Sequence, residues 1–175
     1  AYLHNFLNAW KLEAKKLKRK GKKVYSLSNE LIWWYSISFM FAAICGALWG
    51  WTGVAYFFAQ SFVAFSLLEV INYVEHYGLH RRKLDNGRYE RTTIEHSWNS
   101  NYLLTNLFLF QLQRHSDHHA NPKRRYQVLR HHDSSPQLPS GYATMVVLAL
   151  FPPLWFKIMN PKVEAYYQGE EHQLK

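Results

Sequence analysis

From Leu31 to Leu68 the chain has no Asp, Glu, Lys, Arg or His. One crossing of a hydrocarbon core takes roughly 20 residues, so this run is long enough for two. Gly50-Trp51-Thr52-Gly53 interrupts it near the middle. The pattern predicts two spanning helices, about 30–50 and 54–79, joined by a tight turn. Trp33, Trp34 and Tyr35 open the first, while Trp49, Trp51 and Tyr56 flank the turn. Those are the places where amphipathic rings settle at a membrane surface. Soluble helices keep charge on at least one face, and this run keeps none, which argues against a buried soluble hairpin. The run starts too late and is too long for a signal peptide.

The flanks are polar and basic. Residues 1–20 place Phe6, Leu7, Trp10, Ala14 and Leu17 at helical spacing against a basic face, as an interfacial helix does. The formal net charge is +9 at pH 7. Lys11, Lys15, Lys16, Lys18, Arg19, Lys20, Lys22 and Lys23 precede the apolar run, and Arg81, Arg82 and Lys83 follow it. Both flanks therefore belong on the cytoplasmic side, with the Gly50–Gly53 turn opposite. Lipid headgroups account for this charge without invoking nucleic acid.

The fold class expected is all-α, a transmembrane helical bundle of which this chain supplies one hairpin and several smaller helices. Residues 1–29 read as the basic helix and linker, 30–79 as the hairpin, 80–159 as a region carrying a metal site, and 160–175 as an exposed tail. Within the third region, Asp85-Asn86-Gly87-Arg88 reads as a turn. Tyr102–Gln113 reads as a buried or re-entrant helix. Tyr142–Met159 is apolar but holds Pro152-Pro153 and Lys157, and reads either as a docked helix ending at the prolines, the reading favoured, or as an interfacial one.

Candidate chemistry lies in the polar segments. His115, His118 and His119 form an H-x-x-H-H cluster. On a helix they stand at about 0°, 300° and 40° around the axis, so three imidazoles leave one face within about a turn. Imidazole is the commonest neutral nitrogen ligand for iron, copper, nickel and zinc. The competing reading is a wet helix end in a chain with ten histidines. A second group closes the hairpin: Glu69, Asn72 and His76 are spaced by three and four residues on one helix face. Ionisable groups at such a position point into a bundle or a polar cavity. His76 reads as a ligand, with Asn72 placed to orient its ring and Glu69 in a supporting position. His80, beside two arginines, reads as solvated. The lone Cys45 lies inside the apolar run, so no cysteine-based site is available.

These residues resemble a known family. Asn72-Tyr73-Val74-Glu75-His76-Tyr77-Gly78-Leu79, then Glu95-His96-Ser97-Trp98-Asn99-Ser100-Asn101, then Leu112 to Ala120, are similar in content, order and spacing to the integral-membrane alkane 1-monooxygenases, or alkane hydroxylases. Asn121 to Gln127 and Pro136 to Tyr142 extend the likeness. The resemblance implies a helical bundle with two non-haem iron ions held by histidines, in the bacterial cytoplasmic (inner) membrane, multi-pass, with the centre toward the cytoplasm. His76, His115, His118 and His119 match its ligand positions. The family's two other histidine boxes have no counterpart, since the only histidine before His76 is His4. The chain therefore reads as the carboxy-terminal half of such an enzyme, needing an upstream half for a complete site. The resemblance further places His96 in a hydrogen-bonding role. Asp117 reads as a group that orients a histidine, while His131 and His132 read as surface residues. His4 and His172 stay unassigned.

Hydroxylating an unactivated terminal C–H bond offers nothing for acid–base catalysis to grip, so the metal must do that chemistry. The protein supplies ligands and an apolar channel. Electrons come from outside, and the resemblance implies rubredoxin, served by its reductase. Arg114, Lys123, Arg124, Arg125 and Arg130 form a basic surface that would steer an acidic carrier. The expected substrate is a medium-chain alkane in the bilayer. The alternatives are an acyl-lipid desaturase or hydroxylase on the same histidine scaffold, and a non-catalytic membrane metal-binding protein.

Overall fold

A computed structural model describes residues 2–168. Six α-helices form among them: α1 (Tyr2–Arg19), α2 (Glu30–His76), α3 (Leu103–Phe108), α4 (His115–Ala120), α5 (Tyr142–Ala149) and α6 (Pro152–Tyr167). Two short 3-10 turns, Ile94–His96 and Tyr126–Val128, complete the regular structure. The all-α class expected from the sequence is what the described residues adopt. The chain separates into two compact units, 1–64 and 65–175.

In the first unit, α1 ends where its sequence supplies a stop. Gly21 takes φ +67°, and the amides of Gly21 and Lys22 bond the carbonyls of Lys18 and Leu17 at 3.1 and 3.0 Å. This left-handed cap satisfies carbonyls that the helix end would leave open. Leu17 is buried, and Phe6 packs its ring 5.4 Å from that of Tyr35. Asn29, fully buried, begins α2 by accepting the Leu31 amide at 3.0 Å and donating to Val24 O at 2.9 Å.

The long α2 is two helical arms, 30–49 and 51–76, meeting at Gly50, whose φ of 62° and ψ of −152° suit glycine alone. The chain doubles back so closely that a Cβ on Gly53 would stand 2.2 Å from the Cys45 carbonyl oxygen, and one on Gly46 2.9 Å from Val54. At about 1.5 Å per residue each arm is long enough to cross a bilayer. The turn falls at the break seen in the sequence, and the second arm ends at His76 rather than at residue 79. Trp33, Trp34, Phe39, Leu48, Trp51 and Phe62 are all exposed, the surface of a helix made for lipid. By length and composition α2 is apolar enough to cross a membrane.

In the second unit the core is Val74, Trp98, Leu138, Tyr142, Met145, Trp155, Met159 and Val163. The Pro152-Pro153 pair starts a helix instead of ending one. Both rings occupy the first turn of α6, where a missing N–H costs nothing. α6 then runs to Tyr167 and buries Met159 and Val163, so residues 160–167 are a packed helix and not the tail expected. Residues 169–175, including His172, lie outside the described residues. Tyr102–Gln113 also departs from expectation. Its helix, α3, stops at Phe108, and Leu103, Leu104, Leu107, Phe108 and Phe110 are exposed. Phe110 and Gln111 turn left-handed (φ 50° and 60°) and re-aim the chain into α4.

Candidate metal centre

Three backbone ties carry the segment 97–100 to the end of α2. The Trp98 amide bonds Glu75 O at 2.8 Å, its indole bonds Tyr77 O at 2.7 Å, and the Ser97 hydroxyl bonds Glu75 O at 3.3 Å. Asn99, buried, then joins this segment to α4 and the 135–138 loop. Its Oδ1 accepts the Ser116 amide at 3.1 Å, its Nδ2 faces the hydroxyls of Ser116 and Ser135, and its backbone bonds Pro136 O and the Leu138 amide. Gln113, fully buried, accepts from Ser100 and Thr105 and donates to Tyr102 O and Asn106. With their polar atoms satisfied, these amides hold α4 in one place beside the last turn of α2.

That placement brings one ring nitrogen each of His76, His115 and His119 within 4.8 Å of one another. Nε2 of His119 lies 3.2 Å from Nε2 of His76. Nδ1 of His76 bonds the His96 carbonyl at 3.0 Å. A carbonyl only accepts, so the proton sits on Nδ1 and the Nε2 lone pair faces the group. Burial, followed by the neighbouring histidines 119, 76 and 118, pushes His115 down to about 3. Burial and then His76 bring His119 to about 4. Both imidazoles are neutral at pH 7, the form that binds a metal.

His118 does not join the group. It is exposed at the rim of α4, its ring centroid 5.7 Å from that of His115 and 6.0 Å from that of His119. The two-turn helix lets its side chain splay outward although the spacing puts it on the same broad face. Asn72 makes no hydrogen bond to His76 among the described residues; the His96 carbonyl holds that ring instead. Glu69 and Asn72 line an open cleft with Tyr73, His76, Tyr77 and Gly78. His96 acts on His76 through its backbone, while its ring is clamped by Thr93 at 2.9 Å and Glu90 at 3.0 Å.

Asp117 orients a histidine outside the cluster. Fully buried, it takes Arg124, the Arg130 amide at 2.9 Å and the His132 ring at 2.9 Å. Burial alone would raise its pKa, but the bonds from His132, Arg130 and Arg124 outweigh that and hold it at about 2. His132 is therefore a partner of a buried carboxylate and not a free surface residue. His131 is half-buried too, with Asp133 at 3.1 Å. The basic surface is correspondingly narrower than the sequence implies. Arg124 is spent on Asp117, and Arg114 on Gln111, Leu129 O and Asn101. Lys123, Arg125 and Arg130 remain exposed.

Glu75 is the site residue that sequence reasoning missed. It is 3% exposed and its Oε2 lies 3.3 Å from Nε2 of His115. A signal was present: a carboxylate directly beside a candidate ligand at the end of an apolar helix needs a partner.

A sequence profile of the fatty acid desaturase family matches residues 1–149. The chain belongs to that family. It is 71% identical over 174 residues to alkane 1-monooxygenase 2 of Pseudomonas aeruginosa, and 71% identical to alkane 1-monooxygenase 2 of Alcanivorax borkumensis. It is 65% identical to alkane 1-monooxygenase 1 of the same Pseudomonas aeruginosa strain. Each alignment covers 99% of this chain and 46% of the relative, so the chain spans about half the length of the curated relatives it matches. The likeness read from the motifs thus extends along nearly the whole chain.

Proposed function

We propose that this chain forms part of a membrane non-haem di-iron monooxygenase, which hydroxylates the terminal carbon of medium-chain alkanes with O2 and electrons from rubredoxin. The observation that carries the reading is the convergence of three imidazoles from two distant segments, His76 on one and His115 and His119 on the other. Two of the three are held neutral at physiological pH. The names of its relatives point the same way.

The donor set fits a metal. A 3.2 Å approach of two ring nitrogens is what two ligands about 2.1 Å from a common ion make at a tetrahedral to right angle. His76, His115 and His119 would hold such an ion. His118, exposed beside them, would serve a second ion with donors from outside these residues. Iron there would supply the redox activation of O2 that no side chain provides. The chain's own part is positional. The His96 carbonyl fixes one ligand's tautomer, the Asn99 and Gln113 bonds fix α4, and burial keeps the imidazoles unprotonated. The exposed aromatic and aliphatic faces of α2 give an alkane a route through lipid. Lys123, Arg125 and Arg130 are the cations left to steer an acidic electron carrier.

The family match favours one other reading, desaturation or hydroxylation of an acyl lipid. Product analysis of the full-length enzyme with n-octane against an acyl substrate separates the two, a terminal alcohol from n-octane being expected. Under the same assay His119→Ala should abolish alcohol formation and lower bound iron. Unchanged iron content in that variant would refute the site.

A further inference from the structure

This inference rests on α2 crossing a bilayer, and it concerns the turn between α5 and α6. Val147, Leu150, Phe151, Leu154 and Phe156 stand exposed around that turn. No Asp, Glu, Lys, Arg or His occurs from Ser134 to Phe156. Lys157 is the first charge after it, exposed on α6, and Asn160 and Glu164 follow it to the surface. The helix is thus apolar at its start and polar further along. A contiguous exposed apolar patch marks a surface that something covers.

The backbone of the turn says which cover it fits. The amides of Leu150 and Phe151 bond the carbonyls of Val147 and Leu148 at 3.2 and 3.0 Å. Those of Leu154 and Trp155 both bond Phe151 O at 3.0 Å. Between them stand Pro152 and Pro153, which carry no N–H. From 150 to 155 every backbone amide proton is therefore bonded or absent. A helix start ordinarily leaves such donors for water, whereas hydrocarbon requires that none be left.

Position points the same way. The Trp155 ring lies 5.4 Å from that of Tyr73 and 5.3 Å from that of Tyr77, and Phe156 stacks on Tyr77 at 6.2 Å. Tyr73 is one turn beyond Glu69, the first ionisable residue after the apolar run. The start of α6 therefore sits where α2 passes from apolar to polar, the level of a membrane surface. Leu67 and Leu68, exposed on the same stretch of α2, carry the apolar surface on into the span.

We propose that the α5–α6 turn is a membrane foot, its exposed apolar side chains entering the acyl chains of the leaflet in which α2 ends. Lys157, on the next turn of α6, reaches the headgroups while its stem stays among apolar neighbours. Tyr142, Met145, Trp155 and Met159, from the two helices that meet at the foot, belong to the core of the second unit. The foot thereby holds that core to the bilayer at a point other than α2 itself.

The test uses the full-length enzyme in phosphatidylcholine vesicles, its own cysteines replaced by serine and one introduced cysteine carrying an NBD fluorophore. Labels at Phe151→Cys and Leu154→Cys should emit to the blue. Phospholipids brominated along their acyl chains should quench them about as strongly as a label at Phe62→Cys on α2. A label at Glu164→Cys, about 15 Å further along α6 than Leu154, should resist brominated lipid and be quenched by aqueous iodide. Two separate foot positions keep the test decisive should one variant not fold. Iodide quenching at Phe151 and Leu154 would mean that the foot faces water and would overturn the proposal. Blue emission there without quenching by brominated lipid would overturn it too, since protein would then be the cover. An unquenched label at Phe62 would instead remove the crossing by α2, a separate failure.

Discussion

The two units of the chain are held together by opposite means. In residues 1–64 the only buried hydrophobic residues described are Leu17 and Ala42, and the large apolar side chains face outward. Cohesion there comes from bonds within the helices and from two glycines that let the arms touch. In residues 65–168 the hydrophobic core is continuous, and polar groups are buried with it: Asn99, Gln113, Ser116 and Asp117. Lipid can solvate an apolar face but cannot orient a ligand. Orientation is bought with buried hydrogen bonds, and the histidines sit where those bonds are densest.

The sharpest way to break that contrast is Gly53→Ala. A methyl group 2.2 Å from the Cys45 carbonyl oxygen meets backbone, which cannot swing aside, so the hairpin should open and the folded enzyme be lost from membranes. Gly50→Ala meets nothing within 4 Å and suffers only its dihedrals, a cost of about 1–3 kcal/mol. Membrane-fraction immunoblots together with thermal unfolding in detergent check both.

Acid should act on the second unit. His115 and His119 titrate in the unfolded chain near 6.5 but in the fold only near 3 and 4. Their folded values are depressed, so their stabilising effect is full above 6.5 and is lost as pH falls toward the folded values. For the metal-free enzyme the loss is on the order of a few kcal/mol. Denaturant titrations between pH 7 and 4 measure it, and a flat profile would contradict the buried placement of these rings.

Asp117→Asn comes next. It removes the charge opposite Arg124 while keeping the shape, and breaking a buried pair from one side costs about 3 kcal/mol. The 121–132 loop should loosen from α4, seen as faster amide exchange there, and metal content should fall with it. The smallest effect belongs to the surface. Arg125→Glu should leave stability within about 0.5 kcal/mol while slowing reduction by an acidic carrier at low salt. Arg124→Glu, by contrast, should destabilise, because that side chain is already committed to Asp117. Stopped-flow reduction at two ionic strengths distinguishes them.

Much of this was legible along the chain, because it depends on neighbours in sequence. An uncharged run from Leu31 to Leu68 is long and apolar enough for helices that cross a membrane, and Gly50 marks the reversal because only glycine tolerates that backbone. The H-x-x-H-H spacing and the histidine ending the hairpin identified the cluster, since helical periodicity alone puts His115 and His119 side by side. Tertiary structure decided the rest. Which of four imidazoles converge depends on where Asn99 and Gln113 dock α4, a matter of contacts between residues far apart in the chain. The same holds for Asp117, whose partners Arg124 and His132 come from a loop that folds back over it. Glu75 meets His115 only because α4 sets that ring against it. Periodicity fixes the face a side chain leaves from, and packing alone determines what it meets there.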